Sequence, residues 1–193
     1  MKHTTLSLFL SIILATCSSS PLALKDYPEV AHFSAGEQED LARIIAFMDK
    51  SVCLSEQLND SAISKCYENF LQSLTEGATA GEVIIPFSEE ERTELFGQLK
   101  PETVRAIWTE TPVDRQNTIL QVNPQAKFGT FLEKYAVENA TARTYDELLR
   151  STGYVSASRF IDHIMQPGEQ GLEIDDERLR FLIAVQFLAI STQ

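Results

Sequence analysis

Apolar residues recur along most of this chain at intervals of three and four, the period of helices that each bury one face. From Ser34 the series Leu41, Ile44, Ile45, Met48, Val52 keeps that spacing, with Glu37, Glu39 and Asp40 in the first turn where acids complement the helix dipole. Ile63, Cys66, Tyr67, Phe70, Leu71 and Leu74 form a second stripe, with Asn59 or Asp60 as N-cap and Gly77 as the expected stop. Residues 82–87 (Glu-Val-Ile-Ile-Pro-Phe) have strand-like composition, but no second such run is evident to pair with them. They read as an extended segment laid on the helices.

Ser88 with Glu91 makes a capping box for a helix carrying Leu95, Phe96 and Leu99. Pro101 fits the first position of a helix with Val104, Ile107 and Trp108 on one side. Thr111-Pro112 and Asn123-Pro124 repeat this signature, the latter before Phe128, Phe131, Leu132 and Tyr135. Thr144 with Glu147 predicts a short helix bearing Leu148 and Leu149 that Gly153 ends, and Ser156 starts another with Phe160, Ile161 and Ile164, ended by Pro167-Gly168. The final segment, Leu179 to Ile190, is apolar on almost every side, with Asp175 as N-cap and Ile174 and Leu179 as a hydrophobic staple. It is too short for a membrane span and predicts a central, covered helix. The expected fold is all-α: a single-domain irregular bundle of seven to nine helices over residues 34–193.

The N-terminus follows a different pattern. Lys2 and His3 precede an apolar run from Leu6 to Ala15, the layout of an export signal. Leu14-Ala15-Thr16-Cys17 resembles the processing site of bacterial lipoproteins, in which the cysteine thiol receives diacylglycerol; Thr16 stands where Gly, Ala or Ser is usual. The resemblance covers this segment alone and implies a signal peptide over 1–16, lipid attachment at Cys17 and a flexible tether over 17–33. Simple secretion, with a cut after Ser18, and an uncleaved anchor are the alternatives.

Three cysteines leave an odd one in an exported chain unless Cys17 is acylated or removed. Cys53 and Cys66 then remain as a pair for which a disulfide is the default in an oxidising compartment. Such a bridge would staple the first two helices into a hairpin. Cys53 lies roughly 100° around from Val52 on a continued helix, so the bridge predicts that the first helix ends or bends near Ser51.

Composition is that of an ordinary globular protein, at 44% apolar and 23% charged residues, with a net charge of −12. The charge is uneven: residues 25–94 carry 5 basic and 15 acidic side chains, residues 95–193 carry 10 and 13. Nucleic acid and anionic lipid headgroups are excluded as expected partners, since binding a polyanion needs a cationic footprint. A basic protein would be steered toward the acidic half.

The chain has no Gly-x-Ser-x-Gly, His-Glu-x-x-His, phosphate-loop or calcium-loop motif. His32 and His163 are the histidines beyond the signal, and nothing in their spacing suggests a metal site. Asp162-His163 is the one adjacent acid and imidazole, but neighbours on a helix point about 100° apart. Glu89-Glu90-Glu91 and Asp175-Asp176-Glu177 fall in first helical turns, where acids have a structural use. Trp108 fits the core. Asn59 and Asn139 match the glycosylation acceptor pattern, relevant only in a eukaryotic secretory pathway.

No catalytic residue, metal or cofactor is assigned. The expectation is a lipid-anchored helical protein-binding module of the cell envelope, touching the membrane only through its anchor. A secreted or periplasmic hydrolase with a dispersed site around His163 is the alternative.

Overall fold

A computed structural model describes residues 23–53, 60–80, 84–112, 118–165 and 174–190. Among these the protein is all-α, with eight α-helices: α1 (Ala35–Cys53), α2 (Asp60–Ala80), α3 (Glu89–Gln98), α4 (Pro101–Ile107), α5 (Lys127–Tyr135), α6 (Ala140–Thr152), α7 (Ala157–Met165) and α8 (Glu177–Ala189). A two-stranded antiparallel sheet, β1 (Trp108–Pro112) and β2 (Thr118–Val122), lies between α4 and α5.

Helix α8 is the centre of the bundle. Every residue from Leu179 to Ala189 is buried, as its all-round hydrophobicity predicts. Phe181 meets Phe128 and Phe131 from α5 edge-on, and Phe187 packs against Phe70 of α2 and Phe160 of α7. The polar side chains within this buried stretch are partnered. Gln186 accepts from the Tyr145 hydroxyl at 2.6 Å and donates to the Val155 carbonyl, while Arg180 pairs with Asp49 of α1 at 2.6 Å. The N-cap is Asp176, one residue later than the sequence suggests, because its carboxylate accepts the Arg178 N–H.

Helices α1 and α2 form the expected hairpin, stapled by the Cys53–Cys66 disulfide with its Cα atoms 5.1 Å apart. Helix α1 continues to Cys53 rather than ending near Ser51: the turn that points Cys53 away from the core stripe directs it toward α2, so no bend is needed. Helix α2 runs past Gly77 to Ala80; Gly77 is buried inside it. Ser88 and Glu91 form the capping box, Pro101 opens α4, and Gly153 ends α6 at φ +71°. Helix α6 starts four residues before Thr144, capped by Asn139, and the Thr144 hydroxyl bonds back to the Ala140 carbonyl.

The hairpin replaces the helix expected at Thr111-Pro112. Antiparallel pairing puts Pro112 opposite Thr118. The Asn123 N–H donates to Ile107 O, so the alternation of the ladder leaves Pro112 at a position with no cross-strand bond, which is where a strand tolerates proline. Trp108 is therefore the first strand residue, not part of α4, and its indole N–H donates to the Val185 carbonyl at 3.1 Å. Residues 84–87 form neither helix nor strand and bend at Pro86 and Phe87, with Phe87 buried against Phe47; residues 82 and 83 of the expected extended segment lie outside the described residues.

Residues 23–33 correct the expectation of a flexible tether. Two 3-10 turns, Leu24–Asp26 and Pro28–Val30, bury Leu24, Val30 and Phe33 in the core. Arg178 lies over the rings of Tyr27 and Tyr135, at 4.2 and 4.6 Å, and pairs with Glu29, Asp176 and Glu138. Glu177 accepts the Leu24 N–H. The strap is thus fastened to the N-terminal end of α8.

Candidate functional site

The titratable groups most suited to chemistry are kept apart. His163 is half-buried on α7 beside exposed Asp162. His32 sits in the strap, its Nε2 2.8 Å from the Lys127 carbonyl oxygen. Glu89, Glu90 and Glu91 occupy the first turn of α3, where Glu91 completes the capping box; the hydrogen bonds from Ser88 hold its carboxyl below the ordinary range. Of the second acidic cluster, Asp176 caps α8 and Glu177 holds the strap. Trp108 is core. Asn139 is engaged as the α6 cap. Cys17, the expected lipid site, and Asn59 lie outside the described residues. Among the described residues no group of three or more His, Cys, Asp or Glu side chains is placed to hold a metal ion.

Buried charge is used to join elements. Asp49 of α1 accepts from the Tyr67 hydroxyl of α2 at 2.9 Å and from Arg180 of α8; its desolvation outweighs the attraction of Arg180 and raises its pKa. Asp40 accepts the Lys100 N–H and the Thr103 hydroxyl at 2.9 and 2.7 Å, fixing the start of α4. Glu37 caps α1 through Ser34 and pairs with Lys127 at 2.5 Å, which ties in α5. These carboxylates are spent on architecture.

Among the described residues, two open grooves flank α3. This helix has Leu95 and Phe96 as its large apolar residues in the ten from Glu89 to Gln98, too narrow a stripe to bury a whole face. Leu95 and Leu99 anchor it, Phe96 packs tilted against Trp108 with ring centres 5.1 Å apart, and Arg92 donates to the Leu188 carbonyl at the end of α8. A groove runs along each side. One, of about 440 Å³, separates Arg92, Thr93 and Phe96 from Val104, Glu110 and Leu120 of α4 and the hairpin. The other, of about 610 Å³, separates Glu91, Glu94 and Gln98 from Arg43, Phe47 and Lys50 of α1. Among the described residues, neither groove is lined by histidine or cysteine, and neither holds a nucleophile hydrogen-bonded to a base.

Hydrophobic and capping patterns mark α3 but not its grooves. The available signal was the polarity of Glu89–Gln98: a well-capped helix with so little to bury must stand at the edge of the core. The chain matches no protein-family model, no curated protein and no solved structure.

Proposed function

We propose that this chain is an exported, lipid-anchored protein-binding module of the cell envelope, with α3 as its recognition element. The observation that carries the reading is the pair of open grooves flanking α3, floored by apolar side chains and rimmed by charge. The Cys53–Cys66 disulfide is compatible with an extracellular or periplasmic location. Among the described residues no helix is long and apolar enough to cross a membrane, so attachment falls to the N-terminal segment.

The fastened strap gives the anchor a short reach. Ala23, the first described residue, stands six positions after Cys17, a stretch that spans about 20 Å at most. The strap holds the N-terminal end of α8 through Arg178, whereas Arg92 of α3 reaches Leu188, about 15 Å further along that helix. The strap's attachment and the contact of α3 thus lie toward opposite ends of the central helix. The excess of acids over residues 25–94 steers a basic partner toward α1 and α3.

Photo-crosslinking in intact envelopes tests the reading. A photoreactive residue at Thr93 or Glu94 should give a discrete protein adduct, and one at exposed Lys134 of α5 should not; no adduct from α3 overturns the binding function. Cys17→Ala should move the protein from the membrane to the soluble fraction. Unchanged fractionation overturns the anchor.

A further inference from the structure

We propose that the groove between α1 and α3 seats a partner's amphipathic helix whose apolar stripe has acidic residues along one flank and basic residues along the other, the charged walls fixing its direction. This deepens the protein-binding reading and rests on it. Both walls are helical faces. Arg43, Phe47 and Lys50 stand at i, i+4 and i+7 on α1, and Glu91, Glu94 and Gln98 at i, i+3 and i+7 on α3. Ala46, Phe47 and Leu95 supply apolar floor, with Pro86 at the lining of the same groove.

The shape selects a helix. The α1 wall from Arg43 to Ser51 is about 12 Å long, two helical turns, and the periodic side chains of both walls form ridges into which a third helix can interdigitate. An extended peptide would find no sheet edge here, because both walls satisfy their backbone groups internally; a helix brings its own hydrogen bonds.

The charges select the flanks. On the α1 side the groove presents Lys50 and Arg43, the latter shared with Asp40; on the α3 side it presents Glu94 and Glu91, the latter shared with the Ser88 capping box. A helix lying on the apolar floor would match both walls with acids toward α1 and bases toward α3. Turning it end for end keeps the apolar stripe down but exchanges the flanks. One direction is thus matched on both sides, and the other is mismatched on both.

The test uses the full folded chain beyond the signal segment and three synthetic 18-residue helical peptides with one leucine stripe in common. Their flanks are Glu on one side and Lys on the other, Lys on both, or Glu on both. The mixed peptide should bind about tenfold tighter than either uniform one at physiological salt. A spin label at its N-terminus should broaden NMR signals at one end of the groove, near Arg43 or near Ser51, and the peptide with flanks exchanged should broaden the other end. The double variant Lys50→Glu/Glu94→Lys, which leaves one charge of each sign on either wall, should remove that preference for direction. The proposal is overturned if the all-Lys peptide binds tightest, which would be attraction to net negative charge alone, if the label marks both ends equally, or if no peptide saturates. Saturable binding that maps to the hairpin side of α3 would overturn it while leaving the wider binding function standing.

Discussion

Asp49 and Arg180, 131 residues apart in the chain, meet at 2.6 Å inside the core, and Tyr67 donates its hydroxyl to the second oxygen of the same carboxylate. Three helices, α1, α2 and α8, are thereby tied at one point. Removing one partner leaves the other charge buried, which costs far more than the pair is worth against an apolar replacement. Asp49→Ala should destabilise the protein by about 3–5 kcal/mol in chemical denaturation. Asp49→Leu/Arg180→Met should recover most of that loss. A double variant no better than the single would refute this account.

Arg178 fastens the strap. Arg178→Ala removes two cation–π contacts and three carboxylate partners together. Amide hydrogen exchange over residues 24–33 should accelerate by at least tenfold, with little change in α2 or α7. Arg178→Lys should fall between, since an ammonium keeps the charge but not the planar stacking or the forked hydrogen bonds.

Acid should loosen the α1 contacts. Burial alone would raise the Glu37 carboxyl, but hydrogen bonds from Lys127 and Ser34 outweigh it and hold the group below its ordinary 4.5. Burial likewise opposes, and Thr103 and the Lys100 N–H overcome it, at Asp40, ordinarily 3.8. A lowered carboxyl contributes stability that is present above its ordinary pKa and is lost as pH falls through the folded value. Asp49 has the opposite sign: its raised pKa means that ionisation costs stability as pH rises through it, so protonation partly compensates in acid. With two groups against one, Tm should fall below about pH 4. Glu37→Gln should flatten that dependence; an unchanged slope would remove Glu37 from it.

Gly129 tests packing without charge. A Cβ there would stand 1.9 Å from the Pro124 carbonyl oxygen, so the turn before α5 must move to admit it. Gly129→Ala should cost about 1–3 kcal/mol. Gly97 lies in α3 with nothing within 4 Å of its added Cβ, and Gly97→Ala should instead stabilise by about 0.5–1 kcal/mol. Thermal unfolding of the two variants should shift in opposite directions.

The sequence alone determined most of the helices, because their causes are local. The stripe of α2, the capping box at Ser88 and Glu91, the proline that opens α4 and the glycine that ends α6 act within a turn or two of themselves. The pairing of Cys53 with Cys66 is legible from the cysteine count once export is expected, and the unbroken apolarity of Leu179 to Ala189 marks the central helix. What only the tertiary structure decided depends on groups distant in sequence. Thr111-Pro112 has the local chemistry of a helix start, yet pairing with Thr118 and Ile119 makes it strand, since cross-strand contacts outweigh a weak local preference. Residues 23–33 have little periodicity and became ordered because Arg178 and Glu177, some 150 residues later, supply their partners. The grooves beside α3 are gaps between elements. Periodicity records which side of a helix is apolar, not how far the next helix stands from it, and that separation is set by packing of the whole bundle around α8.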